Sequence, residues 1–291
     1  MKVDKFRTVI IYIIIILLGL VCLLPLLNIV AISFSSSAAV EGNMVGLIPV
    51  GFSTAAYKKI LEDSQFWHSF LISVERVVLA LIINFVLIVL MAYPLSKTNA
   101  QFRGRNIYAN LMIFAMLFNG GMIPTFLVVK SYGLLNTVWA LVLPGAVPIF
   151  NVILVMNFFA AVPKELEEAA FIDGANPFQV LTKIFIPISK PVLATVSLFS
   201  IVGSWNDFYS GLIYMSKAAY YPLMTYIQSL QINVEDLIKQ GNLSAVVDSA
   251  SLGNTNLNAA KIVIAVIPLL LIYPLLQRYF VSGIVVGSVK G

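Results

Sequence analysis

Residues Val162–Pro191 read VPKELEEAAFIDGANPFQVLTKIFIPISKP, a charged segment that lies between two long apolar runs. Proline is favoured at the first position of a helix, so Pro163 predicts a helix start, and acidic residues are favoured in the first turns. Three glutamates lie there: Glu165, Glu167 and Glu168. Gly174 can adopt the left-handed conformation that ends a helix, and Asn176 with Pro177 then forms the cap and first position of a second helix. The segment therefore predicts two short helices joined by a sharp turn.

The hairpin ends at two prolines. Pro187 and Pro191 are expected to end its second helix and to lead the chain into the next apolar run. The first helix presents the small residues Ala169 and Ala170 beside an acidic edge. These residue types also suit an ordinary amphipathic loop that lies at a membrane surface.

The composition of the whole chain is that of a membrane protein. Of its 291 residues, 60% are apolar and 11% are charged, and the mean hydropathy is +0.95, which excludes a soluble globular domain. A bilayer core of about 30 Å requires about 20 apolar residues per helix. Six runs reach that length, approximately Thr8–Ser33, Ser69–Pro94, Ile107–Val129, Thr137–Ala161, Val192–Met215 and Ala260–Val281. We therefore predict an all-α membrane protein, with one transmembrane domain of six helices over residues 1–291.

Two of these runs contain residues that break helices. The third contains Gly120, Gly121 and Pro124, and the fourth contains Pro144 and Pro148. Such breaks are tolerated in spans that are packed inside a bundle, where protein or water covers the freed backbone groups.

The N-terminal run has one feature of a secretory signal peptide, because Lys2, Lys5 and Arg7 precede it. Its apolar part is about twice the usual length of about 7 to 15 residues, so a retained first span is predicted. Cys22 is the single cysteine, which leaves no disulfide framework and no paired-cysteine metal site. The chain contains no Gly-x-x-x-x-Gly-Lys-Ser/Thr loop. No nucleotide, metal or other cofactor is therefore expected in this chain.

The distribution of basic residues predicts the orientation in the membrane. With Lys261 counted outside, one set of connecting segments carries eleven Lys and Arg residues and the opposite set carries six. Because short cytoplasmic loops are enriched in these residues, both termini are predicted to be cytoplasmic. The longer segments Phe34–His68 and Ser216–Ala259 then face outside. The net charge of +5 is attributed to topology rather than to nucleic-acid binding, since no basic stripe interleaved with aromatic residues occurs.

The hairpin also resembles a known sequence motif. Glu168-Ala-Ala, Asp173-Gly174-Ala175 and Ile184-x-Ile-Pro187 are similar to the EAA loop in permease subunits of ABC importers. In that family the loop is a coupling helix that docks into a cleft of a cytoplasmic ATPase subunit. The resemblance assigns ATPase coupling to seven residues: Glu165, Glu168, Ala169, Ala170, Asp173, Gly174 and Phe178.

The resemblance extends along nearly the whole chain. Five segments resemble the six-span permease of carbohydrate importers of the maltose type: Met91–Lys97, Met122–Pro124, Tyr132–Thr137, Trp205–Phe208 and Gln277–Gly291. Ser288 departs from the pattern, because relatives often carry Ala there. The pair Glu75-Arg76 is closer to a subgroup associated with complex or uronate-containing oligosaccharides.

This resemblance implies a type I ABC importer permease in the bacterial inner membrane, which moves oligosaccharides inward by alternating access. It implies a second homologous permease subunit, two copies of a cytoplasmic ATPase subunit that hold ATP and Mg²⁺, and an external sugar-binding protein. A rival class is an ion-coupled secondary transporter, which has no need of a coupling loop. Another is an intramembrane enzyme, which would require a metal-binding or nucleophilic cluster that the sequence lacks.

Polar residues inside the predicted spans are candidates for the substrate pathway. Charges are costly in a bilayer, so Glu75 and Arg76 are expected to face protein or water. Arg76 either attracts acidic sugars in the pathway, or forms an inter-helix salt bridge or extends toward the outer surface. Trp205 offers a ring face, and Asn206 and Asp207 offer hydrogen bonds, which suit a sugar but also join helices. Asn119 completes the candidate set, although it also suits helix–helix hydrogen bonding.

Overall fold

The computed structural model describes residues 2–118, 120–230 and 255–287, with side chains over 7–118, 120–230 and 255–277. These residues form helices joined by short connections, and they contain no β-strand. The α-helices are α1 Lys2–Ser33, α2 Ser37–Glu41, α3 Ala55–Glu62, α4 Ser64–Leu95, α5 Arg105–Leu117, α6 Met122–Ser131, α7 Val138–Val142, α8 Ile149–Ala160, α9 Lys164–Ile172, α10 Pro177–Val180, α11 Ile186–Ile188, α12 Lys190–Asn206, α13 Tyr209–Tyr214 and α14 Thr255–Gly287. Residues 223–230 are also helical.

The predicted apolar runs correspond to helices of membrane-spanning length. Three helical segments meet the length and hydropathy requirement by themselves: Arg7–Ser33, Ser64–Leu95 and Thr255–Gln277. Three bent pairs meet it together: Arg105–Leu117 with Met122–Ser131, Val138–Gly145 with Ile149–Ala160, and Pro177–Ile188 with Lys190–Asn206. By length and composition, the described residues provide three candidate spans, or up to six if each bent pair is one span.

The breaks lie at the glycine and proline residues noted above. Gly121 has a φ of 87° immediately before α6, a left-handed conformation that glycine adopts without a steric penalty. Pro144 lies in a 3₁₀ turn, Leu143–Gly145, and Pro148 caps α8. The two halves of this span meet at 47°. Helices are therefore interrupted within both of these apolar runs.

The predicted fifth span, Val192–Met215, is wrong at its C-terminal end. α12 ends at Asn206, and α13 begins only at Tyr209. The carboxylate of Asp207 accepts hydrogen bonds from the Ser210 N–H at 3.1 Å and the Ser210 Oγ at 2.6 Å. Because an Asp side chain can bind nearby backbone in a non-helical conformation, it interrupts the helix here.

The chain divides into two compact units, and each is described by itself. Unit 1 comprises Met1–Trp67 and Tyr226–Pro268. A polar cluster joins its segments, since Lys261 donates to Asp63 Oδ2 at 2.7 Å and the Tyr226 hydroxyl donates to the same oxygen at 2.9 Å. Lys261 is 4% exposed. Lys261 lies within the helix α14, although the count of basic residues above includes it with the outer connecting segments.

Unit 2 comprises His68–Thr225 and Leu269–Gly291. Its core is formed by apolar side chains from α4, α8, α12 and the hairpin that precedes α12. Representative buried members are Ile88, Val152, Val155, Phe159, Val180, Phe185 and Val196. The hairpin is thus attached to the membrane-spanning helices by its own apolar side chains.

Candidate functional site

The first arm of the hairpin is α9. Pro163 is the residue before α9 rather than its first position, which corrects the sequence prediction by one residue. Glu165 and Glu167 lie in the first turn, where the positive end of the helix dipole favours them. Gly174 has a φ of 82°, so the left-handed turn predicted there is confirmed. The N–H of Ala175 donates to the Ala170 carbonyl at 2.9 Å and closes the turn.

The second arm begins with the predicted cap. Gln179 N–H donates to Asn176 Oδ1, and Asn176 N–H donates to Gln179 Oε1, both at 2.9 Å. This reciprocal pair is a capping box, and Pro177 occupies the first helical position.

The end of the second arm differs from the prediction. A π-helical turn, Leu181–Phe185, follows α10, and helix continues through Pro187 to Ile188. Pro187 therefore does not end the helix as expected. Pro187 has no backbone N–H to donate, and the π-helical turn before Pro187 uses i→i+5 hydrogen bonds in place of i→i+4 bonds. The chain bends instead at Ser189, where Pro177–Ile188 and Lys190–Asn206 meet at 83°.

The outer surface of the hairpin combines acidic and apolar residues. Six of the residues assigned to ATPase coupling are exposed, and Ala170 is half-buried; the exposed ones are Glu165, Glu168, Ala169, Asp173, Gly174 and Phe178. Phe178 is 66% exposed and Ile172 is 86% exposed. Large apolar side chains exposed beside charges are typical of protein–protein contact surfaces.

Glu167 faces the opposite way and forms a contact that the sequence interpretation missed. Lys97 Nζ donates to Glu167 Oε2 at 2.7 Å, and the two side chains are only 12% and 11% exposed. The ammonium lies 4.2 Å from the ring centroid of Tyr93 and 4.1 Å from that of Phe185. Burial lowers the pKa of Lys97 below its ordinary value, although the Glu167 carboxylate acts in the opposite direction. Helical spacing is the feature of the sequence that could have indicated this burial. It places Glu167 about 100° from Glu168 around α9, so the two side chains point in different directions.

A second polar feature of unit 2 is a cavity of about 240 Å³. Its polar lining residues are Arg76, Asn84, Asn151, Ser200, Ser204, Asp207 and Ser210. Arg76 is 4% exposed. Its Nη1 donates to the Asp207 carbonyl at 2.8 Å, and its Nη2 forms an ion pair with the Asp207 carboxylate. Its Nε has no hydrogen-bond partner among the described residues.

Arg76 therefore lines the cavity and forms an ion pair between α4 and the residue that follows α12. Glu75 does not pair with it. Glu75 is exposed and lines a separate cavity of about 220 Å³ that also contains His68.

Of the other pathway candidates, Asp207 lines the cavity and Trp205 does not. Trp205 is 4% exposed and packs edge-on against Phe70, with ring centroids 5.6 Å apart. Asn206 is exposed and is not among the lining residues. Asn119 lies outside the described residues.

Asn84 is a cavity residue that the sequence interpretation missed. When its amide nitrogen faces the carbonyls of Ala80 and Ala146, at 3.2 and 3.0 Å, its oxygen accepts from Ser200 Oγ at 3.2 Å. An asparagine surrounded by apolar residues in a span was the available signal, because buried amides in a membrane need partners. Asn84 therefore joins three elements around the cavity.

The hairpin, the polar cavity and the broken spans together define a membrane permease. A family model described as "Binding-protein-dependent transport system inner membrane component" matches residues 48–286, and the chain belongs to this family. It is thus a multi-pass protein of the bacterial inner membrane. Membership implies a partner permease, an ATPase and a substrate-binding protein.

Two proteins of Bacillus subtilis (strain 168) are similar over almost their full lengths. Protein LplC is 41% identical over 273 residues, which cover 94% of this chain and 91% of LplC. The polygalacturonan/rhamnogalacturonan transport system permease protein YtcP is 39% identical over 288 residues, which cover 99% of each chain. The similarity to YtcP confirms the resemblance to permeases of carbohydrate transport systems.

A solved structure with the same fold is a bacterial ABC transporter involved in the import of the acidic polysaccharide alginate. The superposition has a TM-score of 0.83 and 32% sequence identity, and it covers 96% of this chain and 98% of that one. The predicted type I importer permease fold is therefore confirmed, and this chain is a transport permease.

Proposed function

We propose that this chain is one of two homologous permease subunits in an importer that carries acidic oligosaccharides into the cell. The observation that carries the proposal is the guanidinium of Arg76 at the polar cavity of unit 2. Arg binds a carboxylate through two parallel hydrogen bonds, so a uronate sugar can compete with Asp207 for this group. The polygalacturonan-type relative and the alginate importer support this substrate class.

The exposed face of the hairpin is the proposed contact with the ATPase. Glu165, Glu168 and Asp173 supply negative charge, Phe178 supplies an apolar anchor, and Ala169 permits close approach. Two ATPase copies would hold ATP and Mg²⁺, while this chain would bind neither. Their closure would move the hairpin and reorient the spans, after an external binding protein has delivered the sugar.

The substrate class is tested with Arg76→Lys and Arg76→Gln in the complete importer, purified with its own partner subunits. We expect uptake of a galacturonate oligosaccharide to fall by about tenfold or more in both variants, because Lys cannot reproduce the two parallel hydrogen bonds. Uptake of a neutral oligosaccharide of the same length should change less.

The thermal stability of each purified complex serves as the control, because loss of Arg76 also leaves Asp207 without its ion-pair partner. Equal losses of acidic and neutral uptake, in proportion to lost stability, would reject a pathway role for Arg76. They would leave the Arg76–Asp207 pair as an inter-helix brace.

A further inference from the structure

One lysine contacts both arms of the hairpin. Lys97 lies just beyond the C-terminal end of α4 and donates to Glu167 in α9, the first arm, at 2.7 Å. It also lies 4.1 Å from the ring centroid of Phe185 in the π turn of the second arm. Tyr93, on the last turns of α4, completes the enclosure of the ammonium at 4.2 Å. We call these four residues the Lys97 cluster.

The cluster is buried and continuous with the apolar core. Phe185 packs edge-on against Tyr93 and Phe159, with ring centroids 5.1 and 5.4 Å apart. An ammonium that is both ion-paired and placed over aromatic rings in a poorly hydrated site is held more strongly than one at an exposed surface. The hairpin is thus fixed to the cytoplasmic end of α4 by a charge contact inside a rigid aromatic group.

The same two membrane-spanning elements meet again at the cavity. α4 carries Arg76, which lies 19 residues before the last residue of that helix, Leu95 (95 − 76), and therefore about 28 Å from the end of the helix next to Lys97. α12 runs from the hairpin to Asp207, the partner of Arg76. α4 and the hairpin–α12 segment are consequently joined by one ion pair near each end.

We propose that Lys97 and Glu167 are positioning residues that transmit movement of the hairpin to the Arg76–Asp207 pair. This inference rests on the proposed function, because it requires that an ATPase moves the hairpin. Neither residue contacts the sugar or the ATPase in this role. They keep α4, the hairpin and α12 moving as one body, so that work done on the hairpin reaches the cavity.

The test uses the complete importer reconstituted in lipid vesicles, with Lys97→Met and Glu167→Gln. The readouts are assembly with the ATPase, sugar-stimulated ATP hydrolysis, and the number of galacturonate oligosaccharides imported per ATP hydrolysed. We expect assembly to persist and import per ATP to fall by about tenfold, a size typical of coupling between distant sites. The reversed pair, Lys97→Glu with Glu167→Lys, should recover part of this loss.

The matched control is Lys190→Met, which removes a lysine that is exposed at the start of α12. Its import per ATP should equal that of the unmodified importer. A Lys97→Met complex that is less stable but imports the same number of sugars per ATP would overturn the proposal and leave the cluster as a structural brace.

Glu167→Gln provides an independent measurement if Lys97→Met does not assemble. It keeps the size of the side chain but removes the negative charge that pairs with the Lys97 ammonium. Reduced import per ATP in an assembled Glu167→Gln complex supports the proposal, and an unchanged value overturns it.

Glu168→Lys in the same assay addresses the proposed function separately, because it reverses a charge on the exposed face of the hairpin. Normal sugar-stimulated ATP hydrolysis in that variant contradicts ATPase docking. Lost hydrolysis in Glu168→Lys together with unchanged import per ATP in the Lys97 variants would overturn the Lys97 proposal alone, so the two failures are distinguishable.

Discussion

At the scale of single residues, the described part of the chain contains three ion pairs that join segments far apart in sequence: Arg76–Asp207, Lys97–Glu167 and Lys261–Asp63. The sequence identifies several of these charges as costly in or near a membrane. It does not identify the partners, because each pairing depends on how distant helices pack. Lys261 illustrates this, since it lies inside the predicted span Ala260–Val281, but the contacts of its ammonium with Asp63 and Tyr226 join segments that are distant in sequence.

Asp63→Asn is predicted to destabilise unit 1. Asp63 accepts from Lys261 Nζ at 2.7 Å, from the Tyr226 hydroxyl at 2.9 Å and from the Phe66 N–H at 3.0 Å. The variant leaves the buried Lys261 ammonium without a carboxylate. Loss of one partner of a buried pair costs about 3 to 5 kcal/mol, and we expect about 2 kcal/mol because the Asp63 side chain is 22% exposed. Thermal unfolding of the purified protein measures the difference.

The same contact predicts a pH dependence. Burial acts to raise the pKa of Asp63, but the contacts with Lys261, the Phe66 N–H and Tyr226 outweigh it and lower the pKa below the ordinary value of 3.8. The stabilising contribution is therefore complete above pH 3.8 and is lost as the pH falls through the lowered pKa of the folded state. Asp63→Asn and the unmodified protein should converge in stability below that point. Glu62→Gln, an exposed neighbour, should show no such difference, and a constant gap down to pH 2 would contradict the assignment.

At the scale of elements, turns were predictable where their chemistry is local. Gly174 and the Asn176-Pro177 cap could be identified because a left-handed glycine and a capping box involve only adjacent residues. The end of α12 at Asn206 could not be predicted in this way. Asp207 leaves the helix to bind Ser210 and Arg76, and Arg76 is distant in sequence. The burial of Glu167 could not be predicted for the same reason, since it depends on the contact with Lys97, which is distant in sequence.

Close packing of α13 against Thr225 yields a prediction for Gly211→Ala. A Cβ at Gly211 would overlap Thr225 Oγ1 and would lie 2.8 Å from Thr225 Cβ. Thr225 is fully buried and donates from Oγ1 to the Phe208 carbonyl at 2.8 Å, so it has no room to move. We expect a loss of about 1 to 3 kcal/mol from overpacking, measured as a lower unfolding temperature.

Gly203→Ala is the matched control in α12. No atom lies within 4 Å of a Cβ built there, and replacement of a helix-interior glycine by alanine typically gains about 0.5 to 1 kcal/mol. The two variants should therefore change stability in opposite directions. Equal effects would contradict the packing of Gly211 against Thr225.

At the scale of the whole molecule, the sequence predicted the class of protein because hydropathy and one hairpin motif are sufficient for it. The arrangement of the polar cavity was not predictable, because the cavity depends on which faces of α4, α7, α8 and α12 meet. The helix Arg7–Ser33 has a mean hydropathy of 3.2, and none of that apolar window is buried within this chain. Such a surface suits contact with lipid or with a second permease subunit.

The orientation of the spans is the last prediction, and cysteine labelling in intact cells tests it in a Cys22→Ser background. Basic residues place the segment around Gly104 in the cytoplasm. Gly104 itself has a φ of 85°, which strains any other residue, so the exposed neighbour Arg103→Cys is the better probe. We expect an impermeant thiol reagent to label Arg103→Cys only after the membrane is opened. Asn242, in the other predicted external segment, lies outside the described residues. The probe for the outer side is therefore Lys58→Cys, which is exposed on α3 and should be labelled from outside in intact cells. Labelling of Arg103→Cys from outside, with Lys58→Cys protected, would establish the inverted orientation and place the hairpin on the side opposite to ATP.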